Sequence, residues 1–87
     1  VKMGEAIVKV MPVYPEAARQ SNIAGEVQVE VSISPQGRVM EARATNGHPL
    51  LRAAAEQAAL KWVFKPAVLN GTPIKTQGSL TFVFARP

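Results

Sequence analysis

Cysteine and aspartate are both missing from this chain of 87 residues, and histidine, tryptophan and tyrosine occur once each. Without cysteine there is neither a disulfide framework nor a thiolate metal site, and cysteine usage leaves cytoplasm and periplasm equally open. A lone His48 and six glutamates do not assemble a metal centre when Glu26, Glu30 and Glu41 fall on the polar parity of strand patterns. His48 has no acidic orienter near it in sequence, so a serine nucleophile would lack its base and general acid–base chemistry its second partner. No catalytic residue is assigned, the chain is read as a non-enzyme, and neither metal nor cofactor is expected. The six glycines stand apart, forming neither a GxGxxG fingerprint nor a lysine-bearing phosphate loop.

Long apolar runs are also lacking. Nothing approaches the roughly 20 consecutive apolar residues of a bilayer span, and no signal-type segment precedes the first strand pattern. The chain is expected to make no membrane contact of its own. It opens on Val1 rather than methionine, which reads as a fragment whose anchor, if any, lies upstream. The length suits one domain, residues 1–87, and a chain this short buries only roughly 60 to 65 per cent of its unfolded surface, which argues against a deep substrate pocket. The net charge is +4. Yet Lys2, Lys9, Arg19, Arg38, Arg43, Arg52, Lys61, Lys65, Lys75 and Arg86 never cluster, and no aromatic interleaves with them, so nucleic acid is not expected as a partner.

What is present is patterned. In GEVQVEVSIS, residues 25–34, Val27, Val29, Val31 and Ile33 alternate with polar residues, the period of a strand with one buried face. Ser34-Pro35-Gln36-Gly37 is a turn signal leading to a second strand over Arg38 to Thr45. There Val39 sits on one parity and Met40, Ala42 and Ala44 on the other, which a bulge near the turn reconciles. Asn46-Gly47-His48-Pro49 breaks the strand and starts a helix running to about Trp62. Its inner stripe is Leu51, Ala54, Ala55, Ala58 and Trp62, with Arg52 and Glu56 spaced to pair on the outside. His48 is placed in a capping or solvated role.

A short helix is expected within Tyr14 to Asn22, with Pro15 at its first position. The last strand, Ile74 to Phe84, puts Leu80, Phe82 and Phe84 inward and Lys75, Gln77, Ser79 and Thr81 outward, with Gly78 on the inward parity. Trp62 and Phe64 are assigned to the core, and Pro66 is read as the stop that keeps the helix from continuing. The fold class is therefore α+β: a two-layer sandwich in the order α-β-β-α-β, with two helices on one face of a three-stranded antiparallel sheet. The last strand has no proline between Ile74 and Phe84, so its edge is a template for another strand unless Val1 to Met11 or a second copy of the chain covers it.

Taken together, Tyr14-Pro15-x-x-Ala18, Ile23-x-Gly25-x-Val27-x-Val29, Pro35-x-Gly37-x-Val39, Trp62-x-Phe64-x-Pro66-Ala67, Asn70-Gly71-x-Pro73 and Leu80-x-Phe82-x-Phe84 resemble the C-terminal domain of TonB-type energy transducers. The resemblance covers about residues 12 to 84 and implies a periplasmic domain, tethered to the inner membrane through an anchor and a Pro-rich linker absent from this stretch. It further implies docking of the TonB-box segment of outer-membrane TonB-dependent transporters by strand addition. Force drawn from the proton gradient would arrive through ExbB and ExbD, acting on the missing N-terminal part, to drive uptake of siderophores, cobalamin or similar cargo. On this reading Ile74, Lys75, Thr76, Gln77, Gly78, Ser79, Leu80, Thr81 and Phe82 form the peptide-binding edge. Met11, Pro12, Val13 and Tyr14 lie close to the docked box. The alternative is a self-associating or envelope interaction module, TolA-like or appended to a sensor, with a homodimer covering the edge. The apolar stretch Val8 to Val13 also has the composition of an additional strand.

Overall fold

The computed structural model describes residues 4–85; Val1 to Met3, Arg86 and Pro87 lie outside the described residues, and with them Lys2 and part of the segment considered as an edge cover. In chain order the elements are β1 (Ala6–Val8), α1 (Glu16–Gln20), β2 (Gly25–Ile33), β3 (Val39–Ala44), α2 (Pro49–Leu60), β4 (Val63–Phe64), β5 (Ala67–Leu69), β6 (Thr72–Ile74) and β7 (Thr76–Phe84). The α+β sandwich read from the sequence is present: a three-stranded antiparallel sheet, order β3-β2-β7, carries the two helices. Two short pairs that the sequence reading did not include, β1-β4 and β5-β6, are added to it.

β2 is the central strand, paired on both sides. Val27, Val29, Val31 and Ile33 are all buried, and opposite them in β7 stand Phe82, Leu80, Gly78 and Thr76. The apolar side of this ladder closes against Leu51, Ala55, Ala58 and Ala59 of α2 and Ala18 of α1, with Phe64 of β4 in the same core. Alanines on the buried face of α2 keep side-chain bulk low, so the helix axis can approach the sheet. The expected bulge is present. Ser32 pairs with Glu41 and Ile33 with Val39, so Met40 is the extra residue, turned out to solvent while Val39 reaches the core.

Three expectations need correction. The helix stops at Leu60, well before Pro66, because β4 begins at Val63 and pairs with β1 through Ala6–Phe64 and Val8–Val63. A β-branched valine beside two aromatics suits that strand better than another helical turn. The last strand is not continuous from Ile74: β6 and β7 are separated at Lys75, and β6 turns back on β5 through Asn70 and Gly71. Both turn residues have positive φ, 52° and 81°, as a two-residue primed hairpin requires. Arg52 and Glu56 do not pair with each other: Arg52 Nε donates to Gly47 O at 2.8 Å, and a Glu56 oxygen accepts from Ala44 N at 2.8 Å. The hairpin extends the molecule along the line of β7, giving a long axis of 50 Å.

The turn between β2 and β3 is fastened to β4. Gly37 N donates to Ser34 O at 2.9 Å and Gly37 O accepts from Phe64 N at 2.7 Å. Gly37 has φ 92°, and a Cβ there would lie 1.9 Å from Phe64 O. Gly37→Ala therefore combines left-handed strain with a backbone clash. It is expected to destabilise the domain by at least about 1–3 kcal/mol, read as a lower urea midpoint; an unchanged midpoint would show that the turn does not lean on β4.

Candidate functional site: the open edge of the sheet

Backbone direction along β2 decides which groups of β7 remain unspent. Gln28 O accepts from Thr45 N at 2.9 Å, and Gln28 N donates to Asn46 Oδ1 at 3.0 Å, so Gln28 turns both backbone groups toward the β3 side. In an antiparallel ladder a residue sends its N–H and C=O the same way, and successive residues alternate. Val27, Val29, Val31 and Ile33 thus face β7, and their partners Phe82, Leu80, Gly78 and Thr76 face back. Gln77, Ser79, Thr81 and Val83 are left with N–H and C=O directed away from the sheet. Among the described residues no strand lies beyond them.

The parity continues into the hairpin. A two-residue turn makes Leu69–Thr72 its closing hydrogen-bonded pair, so Ala67–Ile74 is the next such pair and Pro73, which has no N–H, faces outward. β5 and β2 consequently lie on the same side of the chain from Thr72 to Phe84. Burial alternates through the break: Ile74 is half-buried, Lys75 exposed, Thr76 buried. The open edge runs from Lys75 to Val83, and Pro73 ends it.

The opposite edge, on β3, is guarded near its end. Ala44 N points outward there and is held by the Glu56 carboxylate. The bulge at Met40 bends the strand, and Arg38 is bridged to Val63 of β4. Short length, a bulge and covered donors are the usual protections of an edge strand. β7 has none of them. Its residues alternate between buried Thr76, Leu80, Phe82 and Phe84 and exposed Gln77, Ser79, Thr81 and Val83, with Gly78 half-buried.

The segment before α1 is fastened beneath β7. Trp62 Nε1 donates to Val10 O at 3.0 Å, while its ring meets Phe82 edge-on with centroids 5.7 Å apart. Tyr14 meets Phe84 in the same manner at 5.6 Å and donates its hydroxyl to Ile23 O. The chain from Val10 to Tyr14 is therefore attached at both ends to side chains that rest on β7. Of the residues expected near this site, Tyr14 is brought directly to β7. Met11 and Val13 instead wall a shallow apolar groove along α2, facing Leu50, Ala53 and Ala54, and Pro12 is half-buried. Of the segment considered as an edge cover, residues 4–11 are described; Ala6–Val8 within it pairs with β4, and among the described residues none of it pairs with β7.

His48 caps α2, its Nδ1 accepting from Leu50 N at 3.1 Å. Among the described residues no group of histidine, cysteine, aspartate and glutamate has metal-binding geometry. Two contributors escaped the sequence reading. Val83 belongs to the open edge by parity, a signal already visible in its alternation with Phe82 and Phe84. Glu56 guards the other edge through a contact 12 positions away, which no local spacing rule reveals.

These features define a small two-layer α+β domain with one guarded and, among the described residues, one open sheet edge. Residues 10–85 match the family described as the Gram-negative bacterial TonB protein C-terminal, and the chain belongs to that family. The TonB protein of Vibrio cholerae serotype O1 is 32% identical over 68 residues, which are 76% of this chain and 28% of that protein. The TonB protein of Pseudomonas aeruginosa is 32% identical over 75 residues, 84% of this chain and 22% of that protein. The chain thus spans about a quarter of the length of these relatives. The solution NMR structure of the Pseudomonas aeruginosa TonB C-terminal domain aligns with a TM-score of 0.70 at 30% identity, covering 93% of this chain and 84% of that one. A structure of the TonB2 protein from Vibrio anguillarum shares the fold, with a TM-score of 0.60 at 22% identity over 99% of this chain and 86% of that one.

Removing the edge guard tests the asymmetry. Glu56→Ala leaves Ala44 N without its acceptor and is expected to cost about 1 kcal/mol and to speed amide exchange at Ala44, whereas Glu56→Gln keeps an acceptor and most of the protection. Equal exchange in all three proteins would mean that Glu56 does not cover that edge.

Proposed function

We propose that this chain is the transporter-docking domain of a TonB-type energy transducer, which takes an extended N-terminal segment of an outer-membrane transporter as a new strand beside β7. The observation that carries the reading is the row of outward backbone groups at Gln77, Ser79, Thr81 and Val83, unpaired among the described residues while β3 is guarded. Strand addition needs such an edge, and main-chain hydrogen bonds supply its affinity without a pocket. Family membership supports the same reading. In this role the domain works in the periplasm, its missing N-terminal part anchored in the inner membrane and coupled to ExbB and ExbD. Its work is mechanical and not catalytic, with siderophores, cobalamin or similar compounds as the transported cargo.

The geometry suits transmission of load. Hydrogen bonds along a docked strand lie side by side and share a pull directed along the strand. The chain entering from the N-terminal side is fastened under the same strand, through Val10 to Trp62 and through Tyr14 to Phe84. Force then passes from tether to docked segment through β7 and its aromatic underlay, with little demand on the β2–β3 turn or on α1.

Backbone parity makes the test selective. Proline at Gln77 or Ser79 removes an N–H that faces the open edge, so each variant should keep a folded amide spectrum and lose binding of a peptide copied from the N-terminal segment of a transporter of the same organism. Proline at Gly78 removes an N–H directed at Val31 and should unfold or severely destabilise the domain. Amide titration by NMR reads all three. Undiminished binding in both the Gln77 and Ser79 variants would sink strand addition at β7.

A further inference from the structure

We propose that Asn70, at the tip of the β5–β6 hairpin, is a covalent modification site of the folded domain. Its side-chain amide is lost through a succinimide ring closed by Gly71 N, leaving aspartate or isoaspartate. Asn46, which also precedes a glycine, is protected by the fold. The reaction is confined to the hairpin and is independent of strand docking at β7.

An asparagine loses its side-chain amide when the backbone nitrogen of the next residue attacks Cγ. The attack needs a loose side chain, an unshielded nucleophile and backbone freedom between them, which glycine supplies better than any other residue. Asparagine occurs at 22, 46 and 70, and the last two precede glycine. Asn22 precedes Ile23, whose N–H is held by Ala18 O at 2.9 Å and shielded by a β-branched side chain. Asn46 is held at both ends of its amide: Oδ1 accepts from Gln28 N at 3.0 Å, and Nδ2 donates to Gln28 Oε1 at 3.2 Å. Its glycine is also crowded, since a Cβ at Gly47 would lie 2.7 Å from Val27 Cγ2 and 3.0 Å from Glu26 O. Asn70 has neither protection. It is exposed, and a Cβ at Gly71 would meet no atom within 4 Å. Among the described residues no hydrogen bond holds the Asn70 side chain.

The backbone at Asn70 must also turn to bring Gly71 N onto Cγ. Among the described residues β5 and β6 pair only with each other, three residues each, and a two-stranded hairpin of that size opens at little cost. Asn46 instead lies between β3 and α2, tied to the central strand. When the tip opens, the Gly71 nitrogen gives its proton to base and bonds to Asn70 Cγ. The Cγ–Nδ2 bond then breaks, and ammonia leaves with a proton taken from water. Water next adds to the ring. Opening at the Cγ–N bond returns an ordinary peptide with aspartate; opening at the backbone carbonyl leaves the chain running through Cγ, as isoaspartate. The sum is one water consumed and one ammonia released, with no change of oxidation state. Either product carries a carboxylate and lowers the net charge of +4 by one. Isoaspartate also adds a methylene to a turn whose residues, at φ 52° and 81°, close Leu69 on Thr72. The hairpin then loses that pair while the main sheet keeps its own.

The test incubates the intact domain at mildly alkaline pH and follows both Asn-Gly sites by peptide mapping with mass spectrometry. In the native domain Asn70 should react about ten-fold faster than Asn46 or more, because reaction at Asn46 first breaks two hydrogen bonds. In strong urea the two rates should converge. Asn70 should give two separable peptides of one mass, with aspartate and isoaspartate, whereas direct hydrolysis of the amide gives aspartate alone. Amide shifts in the modified domain should be confined to residues 67–74. Gln28→Ala removes the acceptor of Asn46 Nδ2 and should quicken that site while leaving Asn70 unchanged. Asn70→Gly keeps a turn-forming pair and should abolish modification at the tip. Equal rates at Asn46 and Asn70 in the native domain would overturn the proposal. So would an intact Asn70 over a period in which both sites react in urea, or aspartate as its sole product.

Discussion

An antiparallel residue cannot send its N–H to one neighbour and its C=O to the other, and this constraint, set in the central strand β2, organises the molecule. Odd residues of β2 turn their backbones to β7 and their side chains to the core; even residues turn to β3 and to water. In β7 the even residues answer both assignments. The odd residues are left with backbone groups at the edge and side chains in solvent. The residues that can contact another strand are therefore those that contribute nothing to the core.

The same rule gives β3 the reverse arrangement. Ala42 and Ala44 direct their backbones outward while their half-buried side chains pack against the core, so the edge of β3 is built from residues that the fold needs. Substitution there would trade stability for contact. Evolution of a partner-specific edge is mechanically simpler on β7, where Gln77, Ser79 and Thr81 can change identity without altering the packing of Leu80, Phe82 or Phe84. Glu56 completes the division by holding the outward N–H of Ala44, leaving one edge of the main sheet available.

Much of this was legible in the sequence because it rests on period-two alternation. The alternating runs in residues 25–34 and 80–84 are long enough to fix strand and buried face, though not the order of strands in the sheet, and the misfit of Val39 with Met40 signals a bulge. The short pairs were not legible. β1 and β4 have three and two residues, too few to show a period, and they form because Phe64 must be buried and Gly37 fits against its carbonyl. Asn70-Gly71 did carry a hairpin signal, but Pro73 argues locally against a strand; it is tolerated because its nitrogen faces the unpaired side. The break at Lys75 and the reach of Glu56 to Ala44 depend on tertiary geometry, where local spacing rules predict an uninterrupted strand and an Arg52–Glu56 pair.

A site made of main-chain groups leaves little trace in side-chain composition: among the described residues no histidine, cysteine, aspartate and glutamate cluster could hold a metal, while a row of outward backbone groups lies along β7. Such an edge is generic in what it bonds and individual in what flanks it. The backbone row follows from the fold and is therefore open to every chain that shares the alternation. The flanking row, from Lys75 to Val83, is free of the core and belongs to this sequence. Family likeness speaks to the first and says little of the second, so on the docking role proposed above discrimination between partners falls to the exposed parity of β7, where a single cation at one end is the largest departure from neutrality.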